Sequence, residues 1–223
     1  MDRTSYTNLA KAWEFVEDHA FSRQSVELNA VRTRAEETGI AQGSAAQAEL
    51  LRVLVHMIGA SSVIAVGTGS LLETVQLVNG LENGGQLTAV DSSSQGIALI
   101  RTLFNHLSDE IQTTLRAVNA PAGVFLPRLN AETYDLIVVA GDPGNYDASF
   151  EQAPRLLKSH GVIVFTDMLA FESAESAGGV LNPANRDAKS VAMRALLETV
   201  ESDERFVTTL TPTGTGLLVA VKR

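Results

Sequence analysis

Apolar positions near the start of the chain recur three and four residues apart. Leu9, Ala12, Trp13, Val16 and Ala20 share this spacing, which predicts an amphipathic helix over 8–20. A second helix is expected over 26–37. The stretch GIAQGSAAQ reads as a loop whose Ser44 can cap the next helix. Leu50, Leu51, Leu54, Val55 and Ile58 fill one face of that helix, and Gly59 ends it. Beyond Gly59 the pattern changes. Short apolar runs at 62–66, 86–90, 113–118, 134–141 and 161–167 read as strands. Between them, helical periods are expected on Leu71, Leu72, Val75 and Val78, over 94–107 and over 148–158. Met193, Leu196, Leu197 and Val200 mark a last helix near 187–202, and the tail FVTTLTPTGTGLLVAVKR reads as a hairpin around a Pro/Gly turn.

Strands that alternate with helices imply a parallel sheet covered on both faces. The fold class expected is α/β, a doubly wound Rossmann-like sheet whose closing hairpin makes the last strand antiparallel. Residues 1–40 form an N-terminal helical extension in this reading, and 41–223 the main domain. The segment 168–186 is the longest without a clear period; such loops are often functional, and a plain surface insertion is the alternative reading.

Composition narrows the function. The 223 residues carry a net charge of −9, and no Lys/Arg run exceeds two residues, so a nucleic-acid partner is not expected. The absence of cysteine excludes disulfides, thiolate zinc sites and cysteine nucleophiles. It also fits a cytoplasmic location. The start MDRTSYTNLAKAWEF has no apolar signal core. Residues 53–72 lack a full charge, but Gly59, Ser61, Ser62, Gly67, Gly69 and Ser70 interrupt them, so no membrane span is expected.

The chemistry concentrates in SSVIAVGTGSLLETVQLVNGL. Gly67 and Gly69 follow the first strand, where an open parallel sheet binds its ligands and where glycine lets backbone approach a ligand closely. Asp91 closes the next strand, 24 positions after Gly67, and a carboxylate there can accept from both ribose hydroxyls. A plain tight turn is the alternative reading of the glycines; with Asp91 and the sheet pattern they point to a nucleoside. A dinucleotide site wants a third glycine where Leu72 stands, and no phosphate-binding Gly-Lys-Ser/Thr is present. Glu73, in the first turn of the following helix, would repel a pyrophosphate and suits an ammonium group. S-adenosylmethionine has a ribose and an ammonium and no phosphate.

From about residue 40 onward the chain resembles the bacterial relatives of catechol and caffeoyl-CoA O-methyltransferases. The resemblance lies in GSAAQAELLRVLVHMIGASSVIAVGTGS, LTAVDSSSQGIALIRTLF, YDLIVVAGDPGNYDASFEQAPRLLKSHGVIVFTDML and GTGLLVAVKR. It implies an S-adenosylmethionine-dependent methyltransferase acting on a small-molecule acceptor, with a homodimer as its assembly. Gly67, Thr68 and Gly69 would then contact the methionine part, Asp91 the ribose, and Asn119 and Ala120 the adenine. Asn119 also reads as a simple cap. The loop from Ala41 to Ser44, with Gly43, would cover the cofactor, and Asp142 would lie beside it. Three departures stand out. The family's Glu two residues before the first glycine is Ala65 here, while Glu73 replaces a Ser, so Glu73 can take over the ammonium. The family's Asp-Ala-Asp-Lys, whose first Asp holds a divalent cation, is Ala140, Gly141, Asp142 and Pro143. Its Asp-Asn pair is Asp167 and Met168. No specific metal site is therefore favoured, the alternative being a cation recruited by Asp142 and Asp167 together. The candidate bases are Asp142, Asp167 and Tyr146, although Asp142 with Pro143 and Gly144 also reads as a turn. Two other readings remain: a domain that binds S-adenosylmethionine or S-adenosylhomocysteine without transfer, and an NAD-dependent oxidoreductase.

Overall fold

The computed structural model describes residues 3–40, 42–67, 71–81, 84–107, 111–171 and 178–223. Three helices come first: α1 (Arg3–Ser22), α2 (Val26–Glu37) and α3 (Ala45–Met57). The alternating part follows as β1 (Ser62–Val66), α4 (Leu71–Gly80), β2 (Gln86–Asp91), α5 (Ser94–Leu107) and β3 (Thr114–Asn119). A short α6 (Ala122–Phe125) leads to β4 (Tyr134–Val139), α7 (Pro143–Leu156) and β5 (Leu157–Phe165). The chain closes with α8 (Ala188–Glu201), β6 (Phe206–Thr211) and β7 (Leu217–Lys222).

The seven strands form one sheet in the order β3-β2-β1-β4-β5-β7-β6. The pairs among β1 to β5 are parallel, and β7 runs antiparallel to both β5 and β6. This is the doubly wound arrangement with an antiparallel hairpin at its end. The apolar runs are continuous because both faces are covered. Ile64, Val66, Ile137, Val139, Ile163 and Phe165 belong to the core shared with α7 and α8. Their neighbours Val63, Ala65, Leu136, Val138, Val162 and Val164 belong to the core on the α3, α4 and α5 side. The two-residue period of a strand thus sorts one sequence into two cores.

Some element bounds differ from expectation, among them β5, which begins at Leu157 and not at 161. α7 begins at Pro143 instead of near 148, because Asp142 caps it and Pro143 takes the first helical position. α1 is helical as expected, but only Ala20 of its five periodic residues is buried. Trp13 remains 54% exposed and Val16 50%. Glu17 instead ties α1 to the start of α3, accepting from the Ser44 hydroxyl and the Ala45 N–H at 2.5 Å each. α2 is anchored through Leu28 and Ala35, both buried, and the boundary expected at 40/41 falls in the loop between α2 and α3. No helix among the described residues is long and apolar enough to cross a membrane.

Candidate functional site

The strand order reverses between β1 and β4, so the chain leaves their carboxyl ends in opposite directions and opens a crevice there. Gly67 follows β1 with φ +76° and donates its N–H to the Val90 carbonyl at 2.9 Å. A Cβ at this position would stand 2.0 Å from the Ala140 carbonyl oxygen at the end of β4. The close approach that requires glycine is therefore to the protein's own backbone. Gly141, with φ +81°, carries β4 away on the other side.

A cavity of about 360 Å³ opens at this point, lined by Gly43, Gly67, Glu73, Gly141, Asp167 and Thr215 among others. A continuous polar chain crosses it. Glu73, in the first turn of α4, is only 5% exposed and accepts from Gln47 Nε2 at 2.5 Å. The helix N-terminus favours an anion there. The other end of the Gln47 amide, Oε1, accepts from the Thr215 N–H at 3.2 Å. The Thr215 hydroxyl lies 2.6 Å from Asp167 Oδ1 and 3.3 Å from Gln47 Oε1, and the shorter distance assigns its one proton to Asp167. Asp167 Oδ2 lies 3.8 Å from the Lys189 ammonium. Asp167 itself has φ +57°, a conformation uncommon for a side chain larger than glycine and frequent at functional sites. The loop before α3 is held over this cavity from two directions. Arg32 donates to the Gly43 carbonyl at 3.1 Å, and the Leu72 N–H donates to Gln42 Oε1 at 3.0 Å.

Four of the residues singled out in the sequence, Gly43, Gly67, Glu73 and Asp167, share this one cavity. Asp91 and Asn119 end the neighbouring strands β2 and β3 in mutual register. The Ala120 N–H and the Asn119 amide both donate to the Asp91 carbonyl, at 2.9 and 3.0 Å, so Asn119 bridges two strand ends, while the cap position of α6 is Pro121. Asp91 Oδ1 accepts from the Ser93 N–H at 2.8 Å. Thr68 and Gly69 lie outside the described residues. Asp142 is exposed and caps α7, accepting from the Gly144 N–H at 2.8 Å. Tyr146 needs correction as a candidate base. It is fully buried, and its hydroxyl donates to the Thr166 carbonyl at 3.1 Å. Burial first, and then the Asp167 charge, push its phenol far above the ordinary value of 10.0. Such a group holds its proton and serves the core. Gln47, Thr215 and Lys189 were not anticipated.

The resemblance implies a divalent cation, and the side chains at its positions do not fit one. Ala140 offers a methyl group, and Met168 is 1% exposed within the core. Both oxygens of Asp167 already face the Thr215 hydroxyl and Lys189. A hard cation wants several oxygen ligands, and of these three positions only Asp167 brings a side-chain oxygen.

A family model described as O-methyltransferase matches residues 16–223. A Mycobacterium marinum protein provisionally named as an O-methyltransferase is 31% identical over 195 residues, covering 87% of this chain and 84% of its own. A Mycobacterium tuberculosis protein named in the same provisional way is 31% identical over 199 residues, covering 89% and 86%. Among solved structures, the O-methyltransferase from Bacillus cereus, crystallised with S-adenosylhomocysteine, superposes with a TM-score of 0.80 at 20% identity. That match covers 96% of this chain and 99% of the other. The Streptomyces achromogenes O-methyltransferase TomG, solved with S-adenosylmethionine, gives 0.75 at 18% identity, covering 95% and 97%. These superpositions show the same Rossmann-like methyltransferase sheet.

Proposed function

The chain belongs to the O-methyltransferase family, and from that premise we propose that it transfers the methyl group of S-adenosylmethionine to a hydroxyl oxygen of a small-molecule acceptor without a divalent cation. The observation that carries the reading is the cavity at the β1/β4 switch point, where Gly67, Glu73 and Asp167 meet. When bound, S-adenosylmethionine supplies a sulfonium-activated methyl group. Asp91 binds the ribose hydroxyls from the end of β2, and Glu73 binds the ammonium from the start of α4. Thr68 and Gly69 complete the methionine contacts, Asn119 and Ala120 flank the adenine, and Gly43 and Asp142 stand at the rim. Methyl transfer is an in-line displacement, so holding the two reactants at close range supplies a large part of the rate. Glu73 also opposes the dinucleotide alternative, because its carboxylate stands at the helix start where a pyrophosphate would bind.

The metal-free part of the reading is supported by Ala140 and Met168, which bring no oxygen ligand. The same proposal includes a cytoplasmic homodimer. Its support is the apolar face of α1, where Leu9, Trp13 and Val16 stay exposed in the single chain. Calorimetry with S-adenosylhomocysteine, followed by a methyl-transfer assay with and without EDTA, tests the core of the proposal. Binding and transfer are expected to survive chelation. Transfer lost in EDTA and restored by Mg²⁺ would overturn the metal-free part, and absence of S-adenosylhomocysteine binding would overturn the whole.

A further inference from the structure

The cavity has an electrostatic problem of its own. Glu73 and Asp167 both line it, and no Lys or Arg does among the described residues. An acceptor hydroxyl that must become an oxyanion would be disfavoured by two carboxylates. Lys189 is the cation that reaches this corner, with Nζ 3.8 Å from Asp167 Oδ2 and a side chain only 18% exposed. Its ammonium makes no hydrogen bond to any described residue, although it carries three donors.

Local stability does not account for a lysine at this place. Lys189 is the second residue of α8, and a cation in the first turn opposes the helix macrodipole. The turn that presents it is tightly knit. Asp187 caps α8 by accepting from the Ser190 N–H at 2.7 Å and the Ser190 hydroxyl at 2.8 Å. The buried Asn185 accepts from the Asp187 N–H at 2.8 Å, and Arg194 clamps the same turn through the Asn185 carbonyl. From the other side, the Thr215 hydroxyl holds Asp167 Oδ1 and leaves Oδ2 toward the ammonium.

We propose that Lys189 is a catalytic residue that binds the acceptor oxygen as an oxyanion, and that the acceptor is a molecule with a single acidic hydroxyl, a phenol or an enol. The inference rests on the methyl-transfer reading and adds the substrate class to it. One ammonium is a point charge. It neutralises one oxyanion, and without a chelating cation a second hydroxyl beside it is not required. On binding, the acceptor hydroxyl gives its proton to solvent, and Lys189 neutralises the oxygen left behind. That oxygen then bonds to the methyl carbon as the carbon–sulfur bond breaks. The sulfur keeps the electron pair, leaving neutral S-adenosylhomocysteine and a methyl ether. Asp167 and Thr215 act as positioning residues for the ammonium.

The ionisation of bound 4-nitrophenol tests this without turnover, since the phenolate and the phenol differ in colour. In the complex with S-adenosylhomocysteine, the wild-type protein is expected to lower the pKa of bound nitrophenol by about 1–3 units, the effect of an opposite charge at close range. Lys189→Met and Lys189→Gln should abolish the shift, and Lys189→Arg should keep most of it. In turnover, the Met and Gln variants should lose about 10²–10³-fold in kcat/KM toward monohydric phenols, the scale seen when one oxyanion donor is removed. Equal ionisation in the wild type and both neutral variants would overturn the proposal, as would a wild-type protein that binds nitrophenol only in its neutral form. Calorimetry with S-adenosylhomocysteine alone, before any phenol is added, isolates failure of the methyl-transfer reading itself.

Discussion

Asp91 offers the sharpest test of how the nucleoside is held, because its turn-shaping and proposed ribose-binding duties are separable. Oδ1 accepts from the Ser93 N–H at 2.8 Å and shapes the turn after β2. The carboxylate as a whole is assigned to the ribose. Replacing Asp91 by Ala removes both functions. Hydrogen bonds to a charged group contribute about 1.5–3 kcal/mol, so the Kd for S-adenosylhomocysteine should rise about 10- to 150-fold. The lost turn bond lies at a partly exposed site and costs about 0.5–1.5 kcal/mol of stability. For a chain of this size that lowers Tm by about 1–6 °C. Asp91→Asn separates the two effects. Its amide oxygen can still accept from Ser93, so Tm should stay near the wild-type value, while the ribose loses its charged acceptor and affinity still falls about tenfold or more. Calorimetry gives the affinities and calorimetric melting gives Tm. Wild-type affinity in the Ala variant would remove Asp91 from the site. A loss of affinity in Ala but none in Asn would show that Asp91 acts only by shaping the turn.

Two further predictions concern the two ends of β1 and β4. Gly67→Ala should lower stability by about 2–6 kcal/mol, from left-handed backbone strain together with overlap on the Ala140 carbonyl; a Tm within 2 °C of wild type, a change of about 0.5–1 kcal/mol, would mean that β4 yields freely at this point. Asp135 joins the starts of β1 and β4, accepting from the Ser61 and Ser62 N–H groups at 2.9 Å each and from Lys158 at 2.7 Å. Burial would raise its carboxyl, but Lys158 and the serine donors outweigh it and hold the pKa below the ordinary 3.8. Its contribution is therefore complete above pH 3.8 and is lost as pH falls through the lower folded value. Asp135→Asn should cost about 1–2 kcal/mol at neutral pH, toward the low end because Lys158 is partly exposed. The gap from wild type should close below pH 3.8 in urea titrations, and a gap that widens in acid would refute the assignment.

The sheet was legible because a strand buried on both faces leaves an unbroken apolar run, as in YDLIVV and GVIVF. Part of the cavity lining was legible too, since Gly67 and Glu73 follow β1 at short range. What failed was the reading of local signals that have two meanings. Asp142-Pro143-Gly144 is good turn chemistry, and it is equally an N-cap followed by proline at the first helical position, which is what the chain forms. The period on α1 predicted an amphipathic helix, which forms, but period alone says nothing about what covers its apolar face. The other half of the site was not legible at all. Thr215 bonds Gln47 across 168 positions, and Lys189 meets Asp167 from the far side of an irregular segment. No spacing rule links such residues, because only the finished sheet brings β7, α3 and α8 to one corner.

The exchange of a carboxylate between positions 65 and 73 acquires a physical sense in this fold. Ala65 is 5% exposed and packs in the core on the α3, α4 and α5 side of the sheet. A glutamate there would rise from the strand between Gly67 and the helices that cover it. Glu73 comes from α4, on that same side, and is as deeply buried at 5% exposed. Its charge costs less at the new position for two reasons. It stands in the first turn of a helix, where the macrodipole favours an anion by about 0.3–1 kcal/mol and by up to about 2 when partly buried. It also receives the Gln47 amide at 2.5 Å, and Gln47 is fixed in turn by the Thr215 N–H. A buried carboxylate without such donors would shift toward its neutral form and lose its attraction for an ammonium. The strand is thereby left free to be fully apolar at Ala65, and the anionic end of the site is carried by the helix. Glu73→Gln preserves the shape and removes the charge. If the helix has taken over this duty, that variant should weaken S-adenosylhomocysteine by about 1.5–3 kcal/mol, the worth of a charged hydrogen bond, while adenosine, which lacks the ammonium, binds as before. Equal weakening of both ligands would show that Glu73 supports the fold of the cavity and not the ammonium.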